Sequence, residues 1–291
     1  MTVVVLFCLP LLNTSCFFLD DDPVEPEGYE LKVTVNTAEM YEKLGIADEL
    51  LATLADEPEK SGVGISLYLY DASGNLVDSE DGVGIRHDLQ PIKAGLDDLE
   101  NGSYTLLVVQ AVTYEGEEGS YLDIEKEEKL STIEMWNRFG REIPATFAFG
   151  YKMVKVTISD GDAELTVTPA AAGSVVEFSL AGLDKTDFWE IYLATDGVPF
   201  CIAPDDKPGE PDLVREYRTR WGGKAEVAYF DLSQENAPAM KGKFFCVNMA
   251  GKTKYQIIGM KADLTDEVVS EGEVDVMLGG EIPVSYDWGA N

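Results

Sequence analysis

The chain has 291 residues, a length that accommodates two domains. Its 54 Asp and Glu residues against 22 Lys and Arg give a net charge of −32, which argues against nucleic-acid backbones and anionic membrane surfaces as partners. Hydrophobic residues at 45% and aromatics at 10% exclude an acidic disordered tail, and one histidine, His87, argues against His-based triads and His-rich metal sites.

At the start of the chain, Val3 to Leu12 is an apolar stretch of signal-peptide length. It is too short for a spanning helix, and no longer apolar run occurs elsewhere. Asn13-Thr14-Ser15-Cys16 follows. This layout resembles a bacterial lipoprotein signal, with residues 1–15 removed and Cys16 carrying the lipid. The competing readings are a plain secretory signal and an uncleaved hydrophobic arm. Residues 16–28 include Asp20-Asp21-Asp22-Pro23 and Glu25-Pro26-Glu27, an acidic, proline-containing stretch expected to extend as a tether.

From Glu30 to Asn36 the pattern alternates, with Leu31, Val33 and Val35 on one face, and predicts a half-buried strand. Asn36 is then a candidate helix cap, with Glu39 completing a capping box. Met40, Leu44, Ala47, Leu51 and Leu54 form a helical stripe that Gly45 splits into two short helices, either a cap on the sandwich end or a partner-binding helix. Ile65 to Tyr70 is apolar on both faces and suits a central strand, Asp71 to Asn75 is a turn, and Leu76-Val77 begins the return strand. Asn101-Gly102-Ser103 turns into a long apolar strand over 104–112. The charged segment 115–142 has a candidate helix within 124–136. Ala145 to Ile158 reads as one or two strands, and Asp160-Gly161-Asp162 turns into Leu165-Thr166-Val167.

Pro169 to Gly173 combines a proline with small residues and lacks large apolar anchors, which marks a boundary between domains at 29–169 and 170–291. Strands are expected near 174–181, 189–194, 225–231, 243–249, 254–261, 273–278 and 282–287. Short strands separated by turns, with few helices, give an all-β chain of two tandem β-sandwiches, the first carrying a small helical insertion. No internal repeat is evident, although both halves share one texture. Ile282, Val284, Tyr286 and Trp288 alternate at the C-terminus, as either the last strand of their own sheet or a strand donated to a partner.

The chemistry-bearing residues are few. With 54 acids, some carboxylate pair always exists, so paired carboxylates carry no signal. Asp71 to Asn75 and Asp160 to Asp162 offer oxygens for a cation, but both stand where hairpin turns are expected and neither reaches the distal Glu of a calcium loop. Cys201 and Cys246 are either a disulfide or two separate buried thiols; neither has a base that would make it a nucleophile. Hence no catalytic residue, metal ligand set or cofactor is expected. Three of the six Arg residues fall in Arg215-Glu216-Tyr217-Arg218-Thr219-Arg220-Trp221. Arg215, Tyr217, Arg218, Arg220 and Trp221 read as a surface that grips carboxylates or stacks on sugars, or else as an edge strand whose Arg residues pair with nearby acids. Trp136, Trp189 and Trp288 are sugar-stacking candidates on one reading and packing residues on the other.

Taken together, Cys16 with its acidic tether, Leu67-Tyr68-Leu69-Tyr70-Asp71-Ala72-Ser73-Gly74-Asn75-Leu76-Val77, and Leu96 to Val109 around Asn101-Gly102 resemble the fimbrillin-like lipoproteins of Gram-negative anaerobes, in particular the minor or anchoring fimbrial subunits. Thr166-Val167-Thr168-Pro169 and Val175-Val176-Glu177-Phe178 resemble that family's passage into its second sandwich. The resemblance implies transthyretin-like sandwiches, export as an outer-membrane, surface-exposed lipoprotein, and a role in fimbrial assembly or cell adhesion. Shaft subunits of the family are cleaved by an Arg-specific protease after their first strands. No Arg precedes Arg86 here, which favours an uncleaved anchor or accessory subunit. The implied partners are other fimbrial subunits and, through the lipid, the membrane. The alternative is a glycan-binding lipoprotein that supports polysaccharide capture, with surface glycans as partners.

Overall fold

The computed structural model describes residues 28–56, 61–114, 122–124, 129–132, 134–137, 143–195, 200–201, 212–213, 225–232, 238–247, 251–276 and 278–290. Strands dominate them. The chain opens with β1 (Tyr29–Val35), whose Leu31, Val33 and Val35 are buried as alternation requires. Helices α1 (Ala38–Lys43) and α2 (Ala47–Asp56) follow, parted by Gly45 at φ +69, a backbone state that glycine adopts without strain. The expected cap is not formed. The N-cap is Thr37, with no side-chain cap bond, because Asn36 turns to the sheet instead. Its N–H donates to Val167 O (2.9 Å) and its Nδ2 to Thr168 Oγ1 (3.2 Å). Met40, Leu44 and Leu54 of the expected stripe are buried, but within α2 Leu50 takes the place of Leu51, which is exposed.

The first sandwich continues through β2 (Ser61–Tyr70), β3 (Leu76–Arg86), β4 (Ile92–Leu99) and β5 (Gly102–Tyr114). An excursion carries β6 (Leu122–Ile124), β7 (Glu134–Asn137) and β8 (Ile143–Pro144) before β9 (Gly150–Ile158), β10 (Ala163–Val167) and β11 (Ala170–Ala171) close it. The helix expected within 124–136 is replaced: its described residues are strand in β6 and β7 and a 3-10 turn at Leu130–Thr132.

The second sandwich comprises β12 (Gly173–Ala181), β13 (Glu190–Thr195), β16 (Ala225–Asp231), β17 (Ala239–Val247), β18 (Gly251–Met260), β19 (Asp266–Val276) and β20 (Glu281–Asp287). Between β13 and β16 lie the short β14 (Phe200–Cys201) and β15 (Asp212–Leu213). These join the earlier excursion in a four-stranded sheet of order β15-β14-β7-β6, so the two halves contribute to one sheet.

The two sandwiches have the same topology, strand for strand. In the first, sheets of order β10-β1-β4 and β9-β5-β2-β3 face each other; in the second, β20-β12-β17 faces β19-β18-β13-β16. In both, the last strand lies parallel to the first: β10 along β1 and β20 along β12. This is a structural repeat that the sequence does not reveal. The additions differ. β11 extends the first module's sheet next to β9, and β8, which belongs to the first half of the chain, extends the second module's sheet next to β17.

Each module has its own interior. Leu31, Val33, Ile65, Leu67, Leu106 and Val108 fill the first, and Val176, Phe178, Ile191, Leu193, Ile257 and Val284 fill the second. A third cluster lies between the modules. The outer face of the β9-β5-β2-β3 sheet, with Tyr68, Tyr70, Leu107 and Val109, packs on Met40, Tyr41, Leu50 and Leu54 of the helices. The same cluster takes in Ile143, Phe149, Ala171 and Ala172, and from the second module Val175, Phe245 and Val247. The expected domain boundary is therefore anchored: Ala171 and Ala172 are buried in this common core. Small residues stand here because the backbones are pressed together. A Cβ on Gly150 would lie 2.2 Å from Ala170 O and 2.4 Å from Met40 Sδ. The rings of Phe149 and Phe245 meet edge to face across the junction at 5.1 Å.

Polar groups fix the helices onto the sheet. Gln110, fully buried, donates from Nε2 to Thr37 O (2.8 Å), and Thr37 Oγ1 donates to Leu89 O (2.9 Å). The Tyr41 phenol faces the Gln110 side chain, and its burial pushes its pKa up. Deleting a ring in the common core removes packing from both modules. Phe245→Ala is expected to cost about 3–5 kcal/mol, and calorimetry of the native chain should show one cooperative transition. Two separated transitions would mean that the modules do not depend on each other.

Candidate interaction surfaces

Most of the sequence-nominated site lies outside the described residues: Cys16, Arg215, Tyr217, Arg218, Arg220 and Trp221 all do so. Cys201 stands in β14, where its backbone pairs with Asp212 and Glu134 but its side chain is outside the description. Cys246 is a buried thiol on β17, and its Sγ donates to Val247 O at 3.7 Å.

The two acidic turns are occupied by their own loops. Asp71 accepts from Ser73 N (2.7 Å), Asn75 N (2.9 Å) and Asn75 Nδ2 (3.0 Å), which holds its pKa below the usual carboxylate range. Asp160 N donates to Asn101 Oδ1 (2.8 Å), and Asn101 Nδ2 returns a bond to Asp160 Oδ1 (3.2 Å). This ties the turn before β5 to the turn before β10.

Among the tryptophans, the Trp136 side chain lies outside the description. Trp288 is half-buried, edge-on to Tyr286 at 4.7 Å, and packs against the second interior. Trp189 is 55% exposed at the start of β13. It sits beside the β18–β19 hairpin, where Trp189 N donates to Met260 O (2.7 Å) and Leu264 at the tip is 78% exposed with φ +65.

At the junction, a cleft of about 320 Å³ lies between α2, β8 and the outer face of β12 and β17. Glu49, Thr146, Glu177, Lys241 and Lys243 line it. Lys243 Nζ is 3.8 Å from Glu49 and 4.0 Å from Glu281, so its charge is set against acids already present.

The remaining surfaces able to bind a chain are the sheet edges, whose peptide groups are free to pair unless something blocks them. β3 is broken by three register shifts and by Gly82 and Gly84 at positive φ. It also closes over the edge of β4: a Cβ on Gly84 would lie 2.2 Å from Ile92 Cγ2. β19 and β16 each carry a bulge of their own, where Val269 and Val227 have no opposite residue in the neighbouring strand. β9 carries Lys152 and Lys155. On β20, Val175 N donates to Gly280 O and Trp288 N donates to Ala181 O. Even-numbered peptide groups therefore face β12, and Pro283 turns its missing N–H outward. The equivalent strand of the first module, β10, pairs with β1 in unbroken register from Leu31↔Ala163 to Val35↔Val167 and contains no proline.

No protein-family model matches the chain, and no curated protein matches it. Solved structures do resemble it in outline. The fimbrial anchor protein Mfa2 from Porphyromonas gingivalis is 9% identical with a TM-score of 0.48, covering 88% of this chain and 90% of that one. A protein described as a candidate adhesin from Bacteroides thetaiotaomicron is 13% identical with a TM-score of 0.43, covering 91% and 92%. A fimbrial assembly protein from Parabacteroides distasonis is 10% identical with a TM-score of 0.39, covering 88% and 90%. The architecture of this chain is established by its own strand pairing.

One surface ion pair gives a direct electrostatic readout. Arg86, at the end of β3, forks onto Asp88 through Nε–Oδ1 and Nη2–Oδ2, both 2.7 Å. The guanidinium pulls the Asp88 carboxyl down to about 2. Because the folded value lies below the unfolded one, the contribution to stability is present above the ordinary carboxylate pKa and is lost as pH falls toward 2. A carboxyl-carbon NMR titration should place the Asp88 midpoint near that value. Arg86→Ala should move it up into the ordinary carboxylate range, and an unmoved midpoint would rule out Arg86 as the cause.

Proposed function

We propose that the chain is a surface lipoprotein, held by a lipid on Cys16 and the acidic tether after it, that serves as an anchor or accessory subunit in fimbrial assembly or cell adhesion. The observation that carries this reading is where the resemblance residues lie. Leu67 to Val77 is the core strand β2, its Asp71 turn and the start of β3. Leu96 to Val109 is the end of β4, the Asn101 turn and the central strand β5. Thr166-Val167 ends β10 and Val175 to Phe178 lies in β12, on either side of the passage between modules. The residues that carry the resemblance thus form central strands and hairpin turns of the first module and the passage into the second.

The stacking of two like modules suits a building element that makes contact without transforming what it touches. A catalytic role would need groups that converge. The single histidine instead turns its Nδ1 to Ser61 O at 2.7 Å, as a protonated nitrogen donating to a carbonyl.

The reading is tested in the cell. Labelled fatty acid should attach to the native protein, and Cys16→Ser should abolish the label and release the protein from the membrane fraction. A strain lacking the protein should show fimbriae of altered length or anchorage, and the tagged native protein should recover a fimbrial subunit. Unchanged fimbriae together with a pull-down that recovers no subunit would overturn the proposal.

A further inference from the structure

The geometry points to the outer edge of β10 as a docking site for an extended, basic segment of another protein, added as a further strand to the β10-β1-β4 sheet. The first support is the comparison between equivalent strands. β20 and β10 occupy the same place in their modules, parallel to the first strand at the sheet edge. In β20 the outward position holds Pro283, which removes a donor from the edge. In β10 the outward groups are complete. Asn36 N donates to Val167 O, so the odd-numbered peptide groups of β10 serve β1, and the N–H and C=O of Glu164 and Thr166 point outward with no partner strand among the described residues. Both residues are exposed, and the strand has neither bulge, proline nor lysine. The other long edges each have one of those protections.

The second support is charge, which selects the occupant. Glu164 lies on the edge strand itself, and Asp160 and Asp162 are in the turn that leads into it. Glu30 N donates to Asp162 Oδ1 at 2.9 Å, which brings a fourth carboxylate to the same end. The lysine among them, Lys32, lies 2.9 Å from Glu30 and 3.8 Å from Asp162. An added strand with Lys or Arg at alternate positions would place each cation over this acidic row, while its backbone completes the ladder. A second copy of this chain is disfavoured: it brings Glu164 against Glu164 and a net charge of −32 against −32. The inference builds on the assembly reading by stating the chemistry of the partner strand. Normal fimbriae in the deletion strain would sink that reading and leave the peptide result below standing.

The probe is a short synthetic peptide alternating Lys and Val, titrated into the intact protein at physiological ionic strength. Its control is the same peptide with every backbone amide N-methylated, which keeps the charge and removes the donors. The unmodified peptide should bind about tenfold or more tightly than the control. Thr166→Pro, which copies the protection of β20, should erase that difference, and Glu164→Lys should weaken binding of the unmodified peptide. If Thr166→Pro does not fold, the two peptides on the native protein and the Glu164→Lys variant decide alone. Equal affinity of the two peptides, no binding of either, or unchanged binding by a folded Thr166→Pro would overturn the site.

Discussion

The structure depends on one sheet being dry on both faces. β9, β5, β2 and β3 pack inward on β1 and β4, as in any sandwich, but the outer face of that sheet is also covered. The helices and the segment from Ile143 to Phe149 close over it, and the edge of the second module seals what remains. This explains why β2 is buried along nearly all its length and why Tyr68 and Tyr70 point away from the sandwich interior without reaching solvent. Aromatic and aliphatic side chains from three separate parts of the chain meet there, so neither module can shed the other without exposing a large apolar surface.

The same constraint accounts for features that would otherwise look arbitrary. The two short helices cap the first module because Leu50, Leu54, Met40 and Tyr41 need a partner face. Thr37 and Gln110 are polar and buried, yet their hydrogen bonds hold the helical insertion in register with β5. β8 reaches across to β17 because the segment that bears it is already pinned under the helices. The duplicated topology is therefore modified unequally: the first module buries the outer face of its larger sheet, while in the second the cluster on the corresponding face comprises, among the described residues, Tyr192, Ala194 and Ile258 with Met260.

Much of this was legible in the residues. Alternation found β1 and β20, the turn at Asn101-Gly102-Ser103 announced the long apolar β5, and the apolar run Ile65 to Tyr70 announced a strand covered on both sides. What failed had long-range causes. Asn36 carries the composition of a cap, but its amide and side chain are claimed by Val167 and Thr168, far along the chain. Gly45 parts the two helices as its position suggests, but beyond it Leu50, not Leu51, is the residue that reaches the common core. The region around 124–136 has helical composition, yet Met135 and Glu134 pair with Phe200 and Cys201 of β14, which no local window contains. The repeat stayed hidden because topology is conserved between the halves while side chains follow different burial demands. Of the nominated binding residues, those between 215 and 221 and Cys16 fall outside the described structure. The open β10 edge had no sequence signature: it is defined by what its counterpart β20 has and it lacks.

The arrangement of β1 has a mechanical corollary. A pull applied at residue 28 enters a strand that is flanked on both sides, by β10 running parallel and β4 running antiparallel. Tension along that axis loads both ladders lengthwise, so many bonds must yield together instead of opening one at a time from an end. A chain held by its leading strand in this way resists being torn out by flow, and its failure under load is governed by how slowly that clamp unfolds and not by its equilibrium stability.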